Sequence, residues 1–396
     1  MKKNILLALT AGLFLVACGG DGSESAEEIK TQKEKLGKSL FFDANLSLTR
    51  NTSCATCHDP EHGFVDARFL KEGTDQTIFI NGARSVGDDG VSLGGRNAPT
   101  AAYAMFSPAF HFDKEKKKYI GGQFHDGRAA TLKDQAMGPP LDGAEMMMPD
   151  KASVVERIKE NPIYVKAFEK HFGDKIFDDI NASYAAMGEV IGKFEKTKEF
   201  APFDSKYDRY VAGEYNLTND EKLGKALFFS QANTNCATCH QLKATTEAKG
   251  ETFSNYEYHN IGTPKNLVAL LAKDGNTSGI DHGLLSQEDI NDTSLDGAIK
   301  VPTLRNIAIT GPYMSNGVFK KLRTVLEFYD HMGAGDRPNN PETGQPWGEP
   351  DVNETINFKD LRATKELTDR KIEALEAFLR TLTDKRYEHL LKPIGE

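Results

Sequence analysis

The sequence predicts a mainly helical protein made of two similar halves. Two observations carry this: a repeat of domain size, and helix signals that far outnumber alternating strand patterns. A third is the length of the loops, which are rich in Gly, Pro, Asn and Asp around Gly82–Pro99 and Asp330–Asp351. Loops this long are uncommon unless they pack on something. The repeat is direct. "TQKEKLGKSLFF" (Thr31–Phe42) returns as "TNDEKLGKALFF" (Thr218–Phe229), and "NTSCATCH" (Asn51–His58) as "NTNCATCH" (Asn233–His240). The cysteine pairs stand 182 residues apart, far beyond a solenoid period.

Each element has a local cause. Both copies open with Thr-x-x-Glu, a capping box that satisfies the first free N–H groups of a helix. Leu-Gly-Lys-x-Leu-Phe-Phe then supplies an apolar helical face, and a loop delivers the cysteines. Ser153-Val-Val-Glu156 predicts another helix start and an amphipathic run to about Lys170. Near the end, Ile372, Leu375, Phe378, Leu379 and Leu382 recur at helical spacing.

The N-terminus reads as an export signal. In "MKKNILLALTAGLFLVACGG" two lysines precede an apolar run of about a dozen residues, too short to span a bilayer. Leu-Val-Ala-Cys resembles a bacterial lipobox, so Cys18 is expected to carry a lipid after residues 1–17 are removed. That places the chain in the bacterial periplasm, held to a membrane only by its anchor. "GGDGSESAEE" is small and acidic, and residues 18–30 read as a flexible tether. Domains are then expected at 31–200 and 201–396. Removing the signal takes two of the 49 basic residues with it, so the formal charge moves from −9 to −11. Such a balance argues against nucleic acid and suits a basic partner.

The remaining four cysteines form two Cys-x-x-Cys-His motifs, the attachment signature of c-type haem. Cys54 and Cys57 would bind one haem, with His58 on its iron; Cys236, Cys239 and His240 would hold the other. A four-cysteine zinc site and thioredoxin-like redox pairs are the competing readings. Two copies in an exported, duplicated chain favour haem. The fold class is therefore two cytochrome c-like domains, with irregular loops packed on the haems.

An iron with two protein ligands carries electrons, whereas one with an open face reacts with peroxide. Aligning the halves after each motif pairs Asp126-Gly127 with Asn316-Gly317, and Leu132 with Leu322. Seven residues further on, Tyr329 stands opposite Pro139. Proline has no ligating side chain. The first haem is thus expected to be open, and the second closed by Tyr329, with Met332 as competitor. In a helix, His331 would point away from the iron. Gln135 and Glu145 lie near the open position, and a carboxylate in an apolar pocket can move protons at neutral pH.

Taken together, "LGKxLFF", both haem motifs, "RNAPT" (Arg96–Thr100), "DGRAATLKDQAMGP" (Asp126–Pro139), Glu145-Met146 and "VPTLRNIAITGPY" (Val301–Tyr313) make the chain similar to bacterial di-haem cytochrome c peroxidases and their relative MauG. The resemblance implies that Glu145 is the acid–base carboxylate and Gln135 a polar residue of the peroxide pocket. It implies a calcium ion held by Asn97 and the carbonyls of Thr310 and Pro312, hard oxygen donors that suit calcium. It leaves room for a homodimer. Cytochrome-oxidising members typically carry methionine where Tyr329 stands, and MauG-like members tyrosine. Cytochrome-oxidising members also tend to carry a histidine in the loop after the first haem, which closes that haem until the other is reduced; none occurs here from Phe64 to Arg96, so the resemblance implies that the oxidised protein reacts with peroxide without prior reduction. Two departures stand out. His125 occupies the place of the usual inter-haem tryptophan, as a possible relay, and Trp347, the only tryptophan, lies in a Pro/Gly-rich loop.

Three functions follow. The first is a peroxidase that takes electrons through the second haem from a small cytochrome c or cupredoxin. The second is a MauG-like oxidase that uses peroxide-derived high-valent haem to oxidise a partner protein. The third is a plain electron carrier, which Pro139 and Glu145 argue against.

Overall fold

The computed structural model describes residues 25–394. Cys18 and the signal segment lie outside the described residues. Two hydrophobic cores organise the chain. One is built from residues between Leu36 and Ala201, the other from residues between Tyr207 and Leu382. Each is centred on a pair of crossing helices. Ala26–Phe41 packs on Ile180–Phe194, and Asn219–Phe228 packs on Asp369–Arg380.

The crossings explain the glycine in each "LGK". A Cβ on Gly37 would lie 1.8 Å from the carbonyl oxygen of Val190, and one on Gly224 would lie 1.8 Å from that of Ala374. Only a residue without a side chain lets the backbones approach this closely. The same sequence feature thus builds the same contact twice.

Several helix starts follow their capping residues, with two differences from expectation. Thr218 and Glu221 form the predicted capping box. The opening helix instead begins at Ala26, because Ser25 and Glu28 form a capping box upstream of Thr31. The stretch expected to be a tether up to residue 30 is therefore helical from residue 26. The run expected from Ser153 to Lys170 is two helices, Lys151–Lys159 and Pro162–Phe172. Asp150 caps the first. Asn161 caps the second, and Pro162 at its first position cannot continue the helix before it.

Strand structure is slight. His111–Asp113 pairs antiparallel with Lys118–Ile120, and Tyr258–His259 with Ile299–Lys300. A bridge between Ile120 and Glu257 joins the two ribbons. Other bonds tie the halves together. The Tyr103 hydroxyl donates to Asp384 at 2.5 Å, that of Tyr387 to the Pro60 carbonyl at 2.6 Å, and Arg96 grips Asp281 at 2.6 and 2.8 Å. No described helix is long and apolar enough to cross a membrane.

Beyond the helices the halves share a loop framework at a constant offset of 190 residues. Gln123 bridges Ala129 as Tyr313 bridges Phe319. Phe124 and Met314 have φ of 62° and 71°, and Gly127 and Gly317 of 74° and 64°. Leu132 and Leu322 each begin a helix. The helices then differ. Leu322–Met332 runs eleven residues, whereas Leu132–Ala136 runs five and gives way to Gly138-Pro139-Pro140, where prolines supply no N–H.

A pair of cavities built on Cys-x-x-Cys-His

Each cysteine motif forms one tight turn. Cys54–Cys57 is a single helical turn and Cys236–Thr238 a single 3-10 turn. The histidine backbone N–H closes each turn on the first cysteine carbonyl at 2.9 Å, His58 on Cys54 and His240 on Cys236. The imidazoles are fixed alike. His58 Nδ1 lies 3.1 Å from the carbonyl oxygen of Phe64, and His240 Nδ1 3.1 Å from that of Phe253. Both phenylalanines are left-handed, at φ 56° and 57°, which turns their carbonyls inward. An Nδ1–H donated to a carbonyl leaves Nε2 as the nitrogen for iron. Burial holds both imidazoles below their usual pKa, His240 at about 4, so they are neutral and able to ligate.

The motifs line adjoining cavities. The His58 cavity holds about 590 Å3 and the His240 cavity about 350 Å3, the size class of cofactor sites. The four motif cysteines form no disulfide and are half-buried. Burial pushes the Cys57 thiol to about 12 and that of Cys236 to about 11, which disfavours thiolates. Cys57 lines one cavity and Cys236 with Cys239 the other, and among the described residues no three His, Cys, Asp or Glu side chains converge to hold a metal. The residues present therefore fit covalent haem.

The His58 cavity is lined by Leu132, Gln135 and Glu145. The carboxyl of Glu145 is raised to about 7, first by burial, then by Asp142, with Arg128 opposing. It is poised to gain or lose a proton at neutral pH. A second lining carboxyl, Glu195, is raised to about 8 by burial, and its Oε2 has no partner. His282 also lines this cavity, and its Nδ1 lies 2.7 Å from the Asp296 carboxylate. His62 is not among the lining residues and stands 3.6 Å from Asp59.

Tyr329 lines the His240 cavity with Cys236 and Cys239. Burial, then the two nearby sulfurs, lifts its hydroxyl above the usual tyrosine range. A bound cation would reverse that sign. Met332 does not line this cavity; its Cε lies against Gly262 beside Ile356. His331 stacks on Trp347 at 5.4 Å, away from the cavity. Trp347 is partly buried against Phe319 and Phe328, and its indole N–H donates to the Arg337 carbonyl at 2.6 Å.

Phe124 and His125 line both cavities. His125 Nε2 lies 2.9 Å from the carbonyl oxygen of Asn97, and burial with Arg96 lowers the imidazole to about 4. It is neutral and tied to the backbone. Asn97, Thr310 and Pro312 are all among the residues that line the His240 cavity. The Asn97 amide donates to the Gly82 carbonyl at 2.9 Å, which leaves its oxygen unengaged by that bond. Arg84 and Glu195, buried on the His58 cavity, belong to no motif, and sequence reasoning missed both.

Comparison with known proteins agrees with this geometry. A family model described as di-haem cytochrome c peroxidase matches residues 31–216. The methylamine utilization protein MauG of Paracoccus denitrificans (strain Pd 1222) is 45% identical over 389 residues, 98% of this chain and 97% of the relative. The cytochrome c peroxidase Ccp of Escherichia coli (strain K12) is 31% identical over 296 residues, 72% of this chain and 50% of that protein. The crystal structure of the diheme peroxidase BthA from Burkholderia thailandensis E264 superposes with a TM-score of 0.79 at 31% identity, covering 91% of this chain and 88% of that one. The chain belongs to the di-haem cytochrome c peroxidase and MauG family, and is accordingly an oxidoreductase with two c-type haems.

Proposed function

We propose that the chain reduces hydrogen peroxide in the His58 cavity with electrons that arrive through the His240 cavity from a small cytochrome c or cupredoxin. The observation that carries this reading is the asymmetry of the cavities. One presents a carboxyl poised near pH 7, with proline at the position where the other presents Tyr329. Haem iron, when bound, supplies the site that takes up peroxide and the electrons that reduce it. The protein handles the protons. Glu145 takes the proton of the inner peroxide oxygen and delivers it to the outer one, which departs as water. Two electrons and two further protons complete the conversion of peroxide to two waters. Gln135 orients the substrate through its neutral amide. Tyr329, rather than Met332, holds the second iron, because Tyr329 borders that cavity and Met332 packs on Gly262.

The surrounding organisation is proposed on the same footing. The domains divide as 31–200 and 201–396, related by duplication, which the shared 190-residue offset supports. The Asn97 side-chain oxygen and the carbonyls of Thr310 and Pro312 hold a calcium ion between the haems. His125 and Phe124 form the wall that electrons cross. The mature chain is periplasmic and anchored through a lipid on Cys18.

Steady-state oxidation of reduced cytochrome c by peroxide tests the reading. Turnover lost in Glu145→Gln supports it, and turnover retained refutes the role of Glu145. One observation favours a second reading, the oxidation of a side chain on a partner protein. Tyr329 would give the second iron an anionic oxygen, which stabilises oxidised iron, and the relative at 45% identity is a MauG. A fast spectral change of the oxidised protein with peroxide, without cytochrome turnover, would select that reading.

A further inference from the structure

Arg84 is a buried cation without a polypeptide partner. It is 5% exposed, it lines the His58 cavity, and its Nε and Nη1 have no hydrogen-bond partner. Arg305, the other buried arginine among the described residues, shows what satisfaction looks like. It holds both oxygens of Asp208 at 2.6 and 2.9 Å, the Ser205 hydroxyl at 3.1 Å and the Glu251 carbonyl at 2.6 and 2.8 Å. The carboxylates that act on Arg84 are Asp281, Asp274 and Asp351. Each already has its own cation: Arg96 at 2.6 Å, Lys273 at 2.7 Å and Lys265 at 3.5 Å, respectively. Arg96 adds a like charge. A buried guanidinium left in this state is strongly unfavourable, and the remedy is an anion with planar oxygen geometry.

We propose that Arg84 binds a propionate carboxylate of the haem attached at Cys54 and Cys57. The haem brings two carboxylates into the cavity, and Arg84 offers donors that nothing else in the chain uses. A charge-assisted pair there fixes the haem plane relative to Glu145 and neutralises a negative charge beside the iron. Arg84 is then a positioning residue for the first haem. The second haem is held without it, since Arg84 does not line the His240 cavity. The proposal rests on the reading that a haem fills the His58 cavity.

The test uses full-length holoprotein and the variants Arg84→Gln and Arg84→Lys. Potentials of the two haems are measured by spectroelectrochemical titration, propionate bending bands by resonance Raman, and haem content by pyridine haemochrome. Arg84→Gln should lower the potential of the His58 haem alone, because losing a nearby positive charge favours ferric iron. Arg84→Lys should fall between it and wild type. The propionate band should shift in both. A wild-type haem content below two per chain would refute the occupied cavity itself, and with it the proposal. With two haems present, unchanged potentials, or equal shifts at both haems, would overturn the assignment to Arg84. If Arg84→Gln takes up no haem, Arg84→Lys decides through the Raman band. A shift upholds the pair, and an unchanged band ends it.

Discussion

The two cavities begin from the same words and end with different linings. Each has a Cys-x-x-Cys-His turn, a histidine held by a left-handed phenylalanine, and a glycine that lets two helices cross. Each continues through a bridged loop into a helix that starts at a leucine. They part most clearly in the length of that helix. Eleven residues carry Tyr329 to the wall of the second cavity. Five residues and a proline pair leave the corresponding place in the first without a donor, and Glu145 and Gln135 line that cavity. A repeated scaffold fixes where a cofactor sits. On the function proposed above, the point at which one helix stops decides what that cofactor is available for.

The sharpest way to break the comparison is Glu145→Gln. It should slow the reaction with peroxide by ~100- to 10,000-fold, the usual weight of a positioned acid–base group. Stopped-flow spectroscopy reads the rate, and the spectrum of the second haem should stay as in wild type. The next effect is in pH. With its carboxyl raised to about 7, Glu145 is a base only above that point. The wild-type rate should therefore rise as pH increases through about 7 and level off above it, and the Glu145→Gln profile should be flat there. Third, no histidine from the loop after His58 reaches the first cavity, so oxidised protein should react with peroxide at once. A lag abolished by prior reduction would show that another group closes the first haem.

The smallest effects concern the shared scaffold. Gly37→Ala and Gly224→Ala each force a methyl group against a helix carbonyl and should destabilise the chain by about 1–3 kcal/mol. Chemical denaturation of the holoprotein measures both. Unequal costs would mean that the crossings, alike in geometry, differ in their freedom to relax.

Much of this was legible in the sequence because it is local. The cysteine turns, the Thr218 cap and the offset that pairs Tyr329 with Pro139 need only spacing. The true start of the first helix was hidden by two capping boxes in succession, of which the upstream Ser25–Glu28 box is the one that begins the helix. The break at Asn161-Pro162 was masked by apolar periodicity that continues across it. Arg84 and Glu195 were invisible for a different reason. Their environment is assembled from segments distant in sequence, and a lone charged residue carries no sign of its burial. Met332 is a fair competitor by counting, and its packing against Gly262, with Tyr329 on the cavity wall, becomes visible only in the fold.

The central claim is that one iron is held by Tyr329 and the other is left open beside Glu145. Electron paramagnetic resonance of the oxidised holoprotein and its Tyr329→Phe variant tests it most directly. The account predicts one high-spin and one low-spin ferric haem in wild type, and conversion of the low-spin signal to high spin in the variant. Two low-spin haems in wild type, or a low-spin signal that survives Tyr329→Phe unchanged, would contradict it.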